Sequence, residues 1–199
     1  MAMQISLTIH NRIVRDETIR WGGYEVKTTG DGFMIVFANC KPALQFCLSV
    51  LEALQNIEWP LAVQQHRSRR VPGSTQINGR APGLTVGLGV HFGTPFMAEL
   101  NTTTNRVDYY GPMINKSARM QGQAGDDTTA VTDDFIAQLA FEQSGRTVLA
   151  TKLVDSVRTK ILSAELVGRE FEIRFKSDRV LKGIPGPEYV SLVHVPRCK

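Results

Sequence analysis

The chain has 199 residues, 42% hydrophobic and 21% charged, with 17 Gly and 9 Pro, a balance that excludes a collagen-like, low-complexity or largely disordered protein. It is long enough to bury a sizeable core as one large domain. The net charge of +4 sits in the C-terminal quarter: residues 150–199 carry ten basic and six acidic side chains, against thirteen of each in residues 1–149.

Ile5, Ile9 and Ile13 lie four apart, with Val14 and Ile19 close by, and Gly22-Gly23 follows, so the spacing predicts a helix over 5–20 with a glycine stop. Two runs rich in β-branched and aromatic residues between Tyr24 and Phe37 flank Thr29-Gly30-Asp31-Gly32, which predicts a hairpin with an acidic turn. Ala43, Phe46, Cys47, Val50, Leu51 and Leu54 follow the 3, 4, 7, 8, 11 spacing of a helix, with Pro42 tolerated near its start. Residues 57–83 carry Trp59-Pro60 and Arg67, Arg69 and Arg70, and are expected to form a surface insertion. Leu84–Gly93 is expected to be a buried strand despite Gly87 and Gly89, and Thr94–Asp108 a polar loop. A second helix, from Pro112 to about Ala124, sets Asn115 and Arg119 four apart on one face.

Thr128–Thr132 reads as a strand, Asp133–Ala140 as a helix and 141–165 as a helical insertion. Phe171, Ile173 and Phe175 alternate before an expected turn at Lys176–Asp178, and the chain ends in further strand around a Gly/Pro loop. Helices and strands interleave without repeats or a linker, which points to a single mixed α/β domain over 1–199. Cys40, Cys47 and Cys198 are too few and too irregular for a disulfide framework or a zinc site, so a reducing compartment is expected. No secretory signal and no membrane span is expected, because the uncharged run from Ala81 to Ala98 holds Pro, Gly and His91.

Asp31, a carboxylate on a glycine-flanked turn, could approach a hard cation or be ordinary turn chemistry. Asn115 and Arg119 could hold a sugar and a phosphate, or be a solvated helix face. Lys182-Gly183 could offer an ammonium to a polyphosphate or be a polar turn. His91 suits a satisfied core histidine better than a base. The arginines at 67, 69 and 70 lack interleaved aromatics, so nucleic acid is not an expected partner.

Taken together and in order, EVKTTGDGFMIVF, LTVGLGVHFG, RVDYYGPMINKSARMQGQA and RVLKGIPGPEYVSLVHV resemble the class III nucleotidyl cyclase catalytic domain, in particular the adenylate cyclases of fungi and kinetoplastids. The resemblance covers nearly the whole chain, with 57–83 and 141–165 as insertions. It implies a ferredoxin-like nucleotide cyclase fold, an α+β mixed sheet flanked by helices. It also implies conversion of ATP to cyclic AMP and pyrophosphate with Mg²⁺ or Mn²⁺ in intracellular signalling, on the cytoplasmic side. By the same resemblance Asp31 is a metal ligand, Lys27 and Asp108 read the adenine edge, Asn115 positions the ribose, Arg119 stabilises the reacting phosphate, and Lys182 binds the triphosphate. The site is expected between two cyclase domains paired head to tail, as a homo- or heterodimer. Two departures accompany it: the family's first strand, which carries the other metal aspartate, falls before the region of resemblance, and Gly87 stands where many members have an arginine. These motivate a second expectation, a catalytically silent nucleotide-binding or regulatory partner of a cyclase heterodimer.

Overall fold

The isoleucine spacing yields α1, Ala2–Arg20, which starts three residues earlier than the pattern predicts. It ends where Gly22 and Gly23 N–H groups turn back to the carbonyls of Ile19 and Thr18, at 3.2 and 2.8 Å. The hairpin follows as β1, Tyr24–Thr29, and β2, Gly32–Val36, paired antiparallel. Gly30 has φ +65° at the first central position of the two-residue turn, where glycine carries no steric cost. The computed structural model describes residues 2–70, 83–166 and 170–195; segment 71–82, Cys198 and the side chains of Arg67, Arg69 and Arg70 lie outside the described residues.

Helix α2, Cys40–Asn56, is the spine of the molecule. One side, with Leu44, Leu48 and Leu51, packs against Phe135, Ile136, Leu139 and Leu162. The other, with Phe46, Val50 and Leu54, packs against Ile13 and Val14 of α1. The N–H groups of Cys40 and Lys41 at its start donate to the Glu142 carboxylate at 2.8 and 3.1 Å, so an anion from another helix caps the positive end. Cys40 and Cys47 are buried free thiols, and burial pushes both pKa values up, Cys47 to about 12.

Several expectations need correction. The start of the 57–83 insertion is core: Trp59 and Val63 are buried against α1 and α2, Val63 within α3, Leu61–Arg70. Trp59 Nε1 donates to the Leu54 carbonyl at 3.2 Å, so the indole serves the core instead of solvent. Only Gly87–Val90 of the expected long strand pairs, as β3, and it is half-buried because it lies at a sheet edge. The expected polar loop at 94–108 contains a hairpin, β4 Met97–Asn101 and β5 Arg106–Tyr110. Its turn is set by Asn101 Oδ1, which accepts from the N–H groups of Thr103 and Thr104, a local bond that hides strand character behind polar residues.

Helix α4 spans Pro112–Gln121, β6 Thr128–Thr132, as expected, and α5 Asp133–Ser144, four residues longer than its pattern. The 141–165 region contributes core: Leu153 and, on α6, Asp155–Glu165, Arg158, Ile161 and Leu162 are all buried. No turn forms at Lys176–Asp178. Strand β7 runs through from Glu172 to Val180 with a register shift between Lys176 and Arg179, and the turn comes at 181–186 before β8, Pro187–His194. The main sheet has the order β3-β6-β8-β7, with β3 parallel to β6 and the other pairs antiparallel. The two hairpins form separate two-stranded sheets. The expected mixed sheet flanked by helices is therefore present, with hairpin β1-β2 not hydrogen-bonded to it.

Candidate active site

Lys27 and Asp108, 81 residues apart in sequence, meet because the β4-β5 hairpin docks on β1. The Val107 N–H donates to Tyr24 Oη at 2.9 Å, and Arg106 Nη1 donates to the Glu25 carbonyl. Glu25 also holds Arg15 through two bonds, at 3.0 and 3.2 Å, and its hydrogen bond with Arg15 lowers its pKa. A bulge between Glu25 and Lys27 adjusts β1 next to this contact. The result is an ion pair, Lys27 Nζ to Asp108 Oδ1 at 2.8 Å. Asn101 Nδ2 approaches Asp108 Oδ2 at 3.5 Å. The hydrogen bond from Lys27, aided by Asn101, holds the Asp108 pKa below its ordinary value. Lys27 also stands 5.8 Å above the Tyr110 ring.

Asn115 and Arg119 both lie exposed on α4. The opposite face of the helix is fixed on β3: Met120 is fully buried, and Ser117 Oγ donates to the Gly89 carbonyl at 3.3 Å. A Cβ on Gly89 would lie 2.1 Å from the Gln121 backbone nitrogen, so only glycine lets the helix seat this closely. Arg119 Nε donates to the Lys182 carbonyl at 3.1 Å, which brings these two cationic residues to one place. Lys182 is exposed in the 181–186 turn, while the preceding Leu181 is buried with Met120 and Val190 and anchors that turn.

Asp31 is exposed at the tip of the β1-β2 turn. Among the described residues no group of three His, Cys, Asp or Glu side chains could hold a metal. A lone hard oxygen ligand still fits Mg²⁺, which keeps several waters and commonly takes one or two carboxylates plus substrate phosphates. The structure thus joins Lys27 with Asp108 and Arg119 with Lys182, and leaves Asp31 on a separate turn. A side chain at Gly87 would begin 3.2 Å from Ala124 Cβ and 3.3 Å from the Gly125 carbonyl, beside the α4–β6 connection.

Sequence reasoning missed Asn101, whose place in an Asn-Thr-Thr-Thr turn was its only signal, and Lys116, which ion-pairs with Asp134 and Glu188 at 2.8 Å each. His91 is the satisfied histidine expected: its side chain is 7% exposed and Nδ1 lies 3.0 Å from Thr132 Oγ1. Burial, with the positive charge of Lys116, pulls its pKa down to about 4. Phe96 on the β4-β5 side is 86% exposed, with Met97, Leu100 and Tyr110 also exposed along that hairpin. No helix of the described residues is long and apolar enough to cross a membrane.

Comparison with known proteins bears on the fold and the family. The profile of the adenylate and guanylate cyclase catalytic domain matches residues 2–162. An adenylate cyclase of Neurospora crassa is 34% identical over 200 residues, covering 97% of this chain and 9% of that protein. The chain therefore spans about a tenth of the length of this curated relative. An adenylate cyclase structure from Trypanosoma brucei in its monomeric state superposes with a TM-score of 0.70 at 22% identity, covering 99% of this chain and 81% of that one. The catalytic core of a rhodopsin-guanylyl cyclase with converted specificity, in complex with ATPαS, gives a TM-score of 0.53 at 15% identity over 97% of this chain and 82% of that one. These structures share the fold. With the family profile over most of its length and a fungal relative at this identity, the chain belongs to the adenylate and guanylate cyclase catalytic domain family.

Proposed function

We propose that this chain is the catalytic domain of an adenylate cyclase, acting on ATP at the cytoplasmic side as part of intracellular signalling. The observation that carries the reading is the Lys27–Asp108 pair, assembled from two separate hairpins and open to solvent on the Lys27 side. An ammonium beside a carboxylate matches the adenine edge, where a ring nitrogen accepts and the 6-amino group donates. The amide of Asn115 would orient the ribose, and the guanidinium of Arg119 would meet charge growing on the reacting phosphate. Lys182, held next to Arg119 through its carbonyl, would bind the outer phosphates. The ribose 3′-oxygen attacks the α-phosphorus, the bond to the bridging oxygen breaks, and pyrophosphate leaves.

Asp31 would hold a divalent cation together with substrate phosphates, waters and a carboxylate from outside the described residues. Bound Mg²⁺ or Mn²⁺ would supply charge neutralisation at the phosphates and acidify the 3′-hydroxyl. Among the described residues β2 and β3 each leave one edge unpaired, a strand position where such a carboxylate could enter. The exposed apolar side chains on the β4-β5 hairpin support pairing with a second cyclase domain, identical or different.

The test is production of cyclic AMP from ATP with Mg²⁺ or Mn²⁺, by the chain extended with the sequence that precedes it in its gene. Asp31→Asn should abolish it, and activity surviving that change would refute the metal role. A second reading, a silent nucleotide-binding partner in a heterodimer, is motivated by Gly87, which stands where many family members carry an arginine. ATP binding without turnover, even in the extended chain, would select it.

A further inference from the structure

Lys116 lies between Asn115 and Arg119 on α4, yet its side chain turns away from solvent and keeps only 16% of its exposure. Its ammonium sits 2.8 Å from Asp134 Oδ2, near the start of α5, and 2.8 Å from Glu188 Oε1, at the start of β8. Burial pulls the Lys116 pKa down, and the hydrogen bonds to Asp134 and Glu188 outweigh it, leaving the ammonium firmly charged. Asp134 Oδ2 also lies 3.8 Å from His91 Nδ1, just beyond β3. Three elements, the end of β3 and the starts of α5 and β8, thus converge behind α4.

The position of Glu188 gives this cluster its meaning. It follows the 181–186 turn that carries Lys182, and that turn is already tied to α4 by the bond from Arg119 Nε to the Lys182 carbonyl. Polar side chains of α4 therefore hold this region at two points, Arg119 on the turn itself and Lys116 on Glu188 just beyond it, beside the packing of Met120 on Leu181. A partly buried ion pair adds little net stability over an apolar pair of the same shape, and its best-attested use is to fix one arrangement among several. Nothing else among the described contacts links α4 to the first residues of β8 by charge.

We propose that Lys116 is a positioning residue for the cyclase reaction: through Glu188 it fixes α4 against the 181–186 turn, so that Asn115, Arg119 and Lys182 act on the same nucleotide. This rests on the cyclase reading above. It separates two kinds of residue on one helix, those that face the nucleotide and one that faces inward and aims them.

The experiment compares Lys116→Met, Lys116→Arg, Glu188→Gln and their double variant in the active dimer, by steady-state kinetics and thermal melting. Lys116→Met should lower kcat about tenfold or more while KM stays within about threefold, because misaimed groups forfeit contacts that matter most in the transition state. Lys116→Arg should recover most of kcat. Glu188→Gln, the milder change that leaves Lys116 paired with Asp134, should reproduce part of the loss, and the double variant should be no worse than Lys116→Met alone. Glu142→Gln, which unpins α2 instead, serves as a control that should melt earlier with kcat unchanged. Parental kcat in Lys116→Met, or a kcat loss in Glu142→Gln at an equal loss of stability, would overturn the proposal. A parent that makes no cyclic AMP and binds no ATP overturns the cyclase reading and this inference together. A parent that binds ATP without turnover moves the readout to ATP affinity, where Lys116→Met should weaken binding about threefold and unchanged affinity would overturn the proposal.

Discussion

His91 makes the structure answerable to pH. Its ring is enclosed behind α4 with Nδ1 3.0 Å from Thr132 Oγ1, and Lys116 and Asp134 are the charged groups facing it. Burial first, and then Lys116, lower its pKa from 6.5 to about 4, while Asp134 opposes them. The folded protein therefore holds a neutral imidazole where the unfolded chain would bind a proton, so stability rises with pH between about 4 and 6.5 and is lost as pH falls through that window. At about 1.4 kcal/mol per pH unit, the full displacement corresponds to about 3 kcal/mol. Asp134 is 43% exposed and water screens the cluster, so we take about 2 kcal/mol in total, of which about half is lost between pH 7 and pH 5. The assay is urea unfolding followed by the fluorescence of Trp21 and Trp59 at pH 7, 6 and 5. His91→Gln should cut the pH dependence in this range by about 1 kcal/mol. Glu25 and Asp108, whose pKa values are also lowered, lose their contributions as pH falls through and below their ordinary values of 4.5 and 3.8, under the range used. Equal slopes for the parent and His91→Gln would show that the enclosed ring is not the proton-linked group.

Other contacts lead to sharper stability and specificity tests. Arg158 is buried, bonds both oxygens of Asp133 at 2.8 and 2.6 Å, reaches Asp155 at 2.9 Å and stacks 3.6 Å from the Tyr189 ring. Arg158→Met leaves Asp133 without its partner and should cost about 3 kcal/mol, read as a melting point lower by roughly 10 °C. Gly89→Ala must push α4 off β3 and should cost about 2 kcal/mol or more; a fold of parental stability by calorimetry would contradict the 2.1 Å approach. Glu142→Gln weakens the cap of α2 and should cost about 1 kcal/mol by urea unfolding. Lys27→Glu with Asp108→Cys should move base preference from ATP toward GTP, measured as the ratio of kcat/KM values; an unchanged ratio would remove both residues from base reading.

The elements legible in the sequence are those whose apolar pattern has a single cause. Helix α2 reads cleanly because the positions at helical spacing, from Ala43 to Leu54, are all buried, and the Gly30-Asp31 turn because two glycines punctuate β-branched runs. The β4-β5 hairpin was hidden because its strands present polar residues and exposed Phe96, Met97 and Leu100, with no core face to impose alternation. Trp59 looked like part of a loop because Pro60 follows it, yet its burial depends on the distant packing of α1 and α2. The candidate site residues could be named from motif order, but their contacts could not. That Lys27 reaches Asp108 depends on Tyr24, Arg106 and a bulge, none of which belongs to a motif.

The same distinction bears on how a base would be read. Lys27 and Asp108 already satisfy one another before any nucleotide arrives, and Asn101 stands at the second oxygen of Asp108. An exposed ion pair is weak in water, so an entering purine can separate it at small cost. A purine with an acceptor where Lys27 donates and a donor where Asp108 accepts restores both bonds. Guanine presents the opposite pattern, a ring N–H toward the ammonium and a carbonyl toward the carboxylate, and leaves both groups facing the wrong partner. Discrimination on this reading comes from the unmatched charges that the wrong base leaves behind, more than from any gain with the right one. Changing only Asp108 should therefore relax selectivity without creating a guanine site, and the paired change at Lys27 is needed to reverse it.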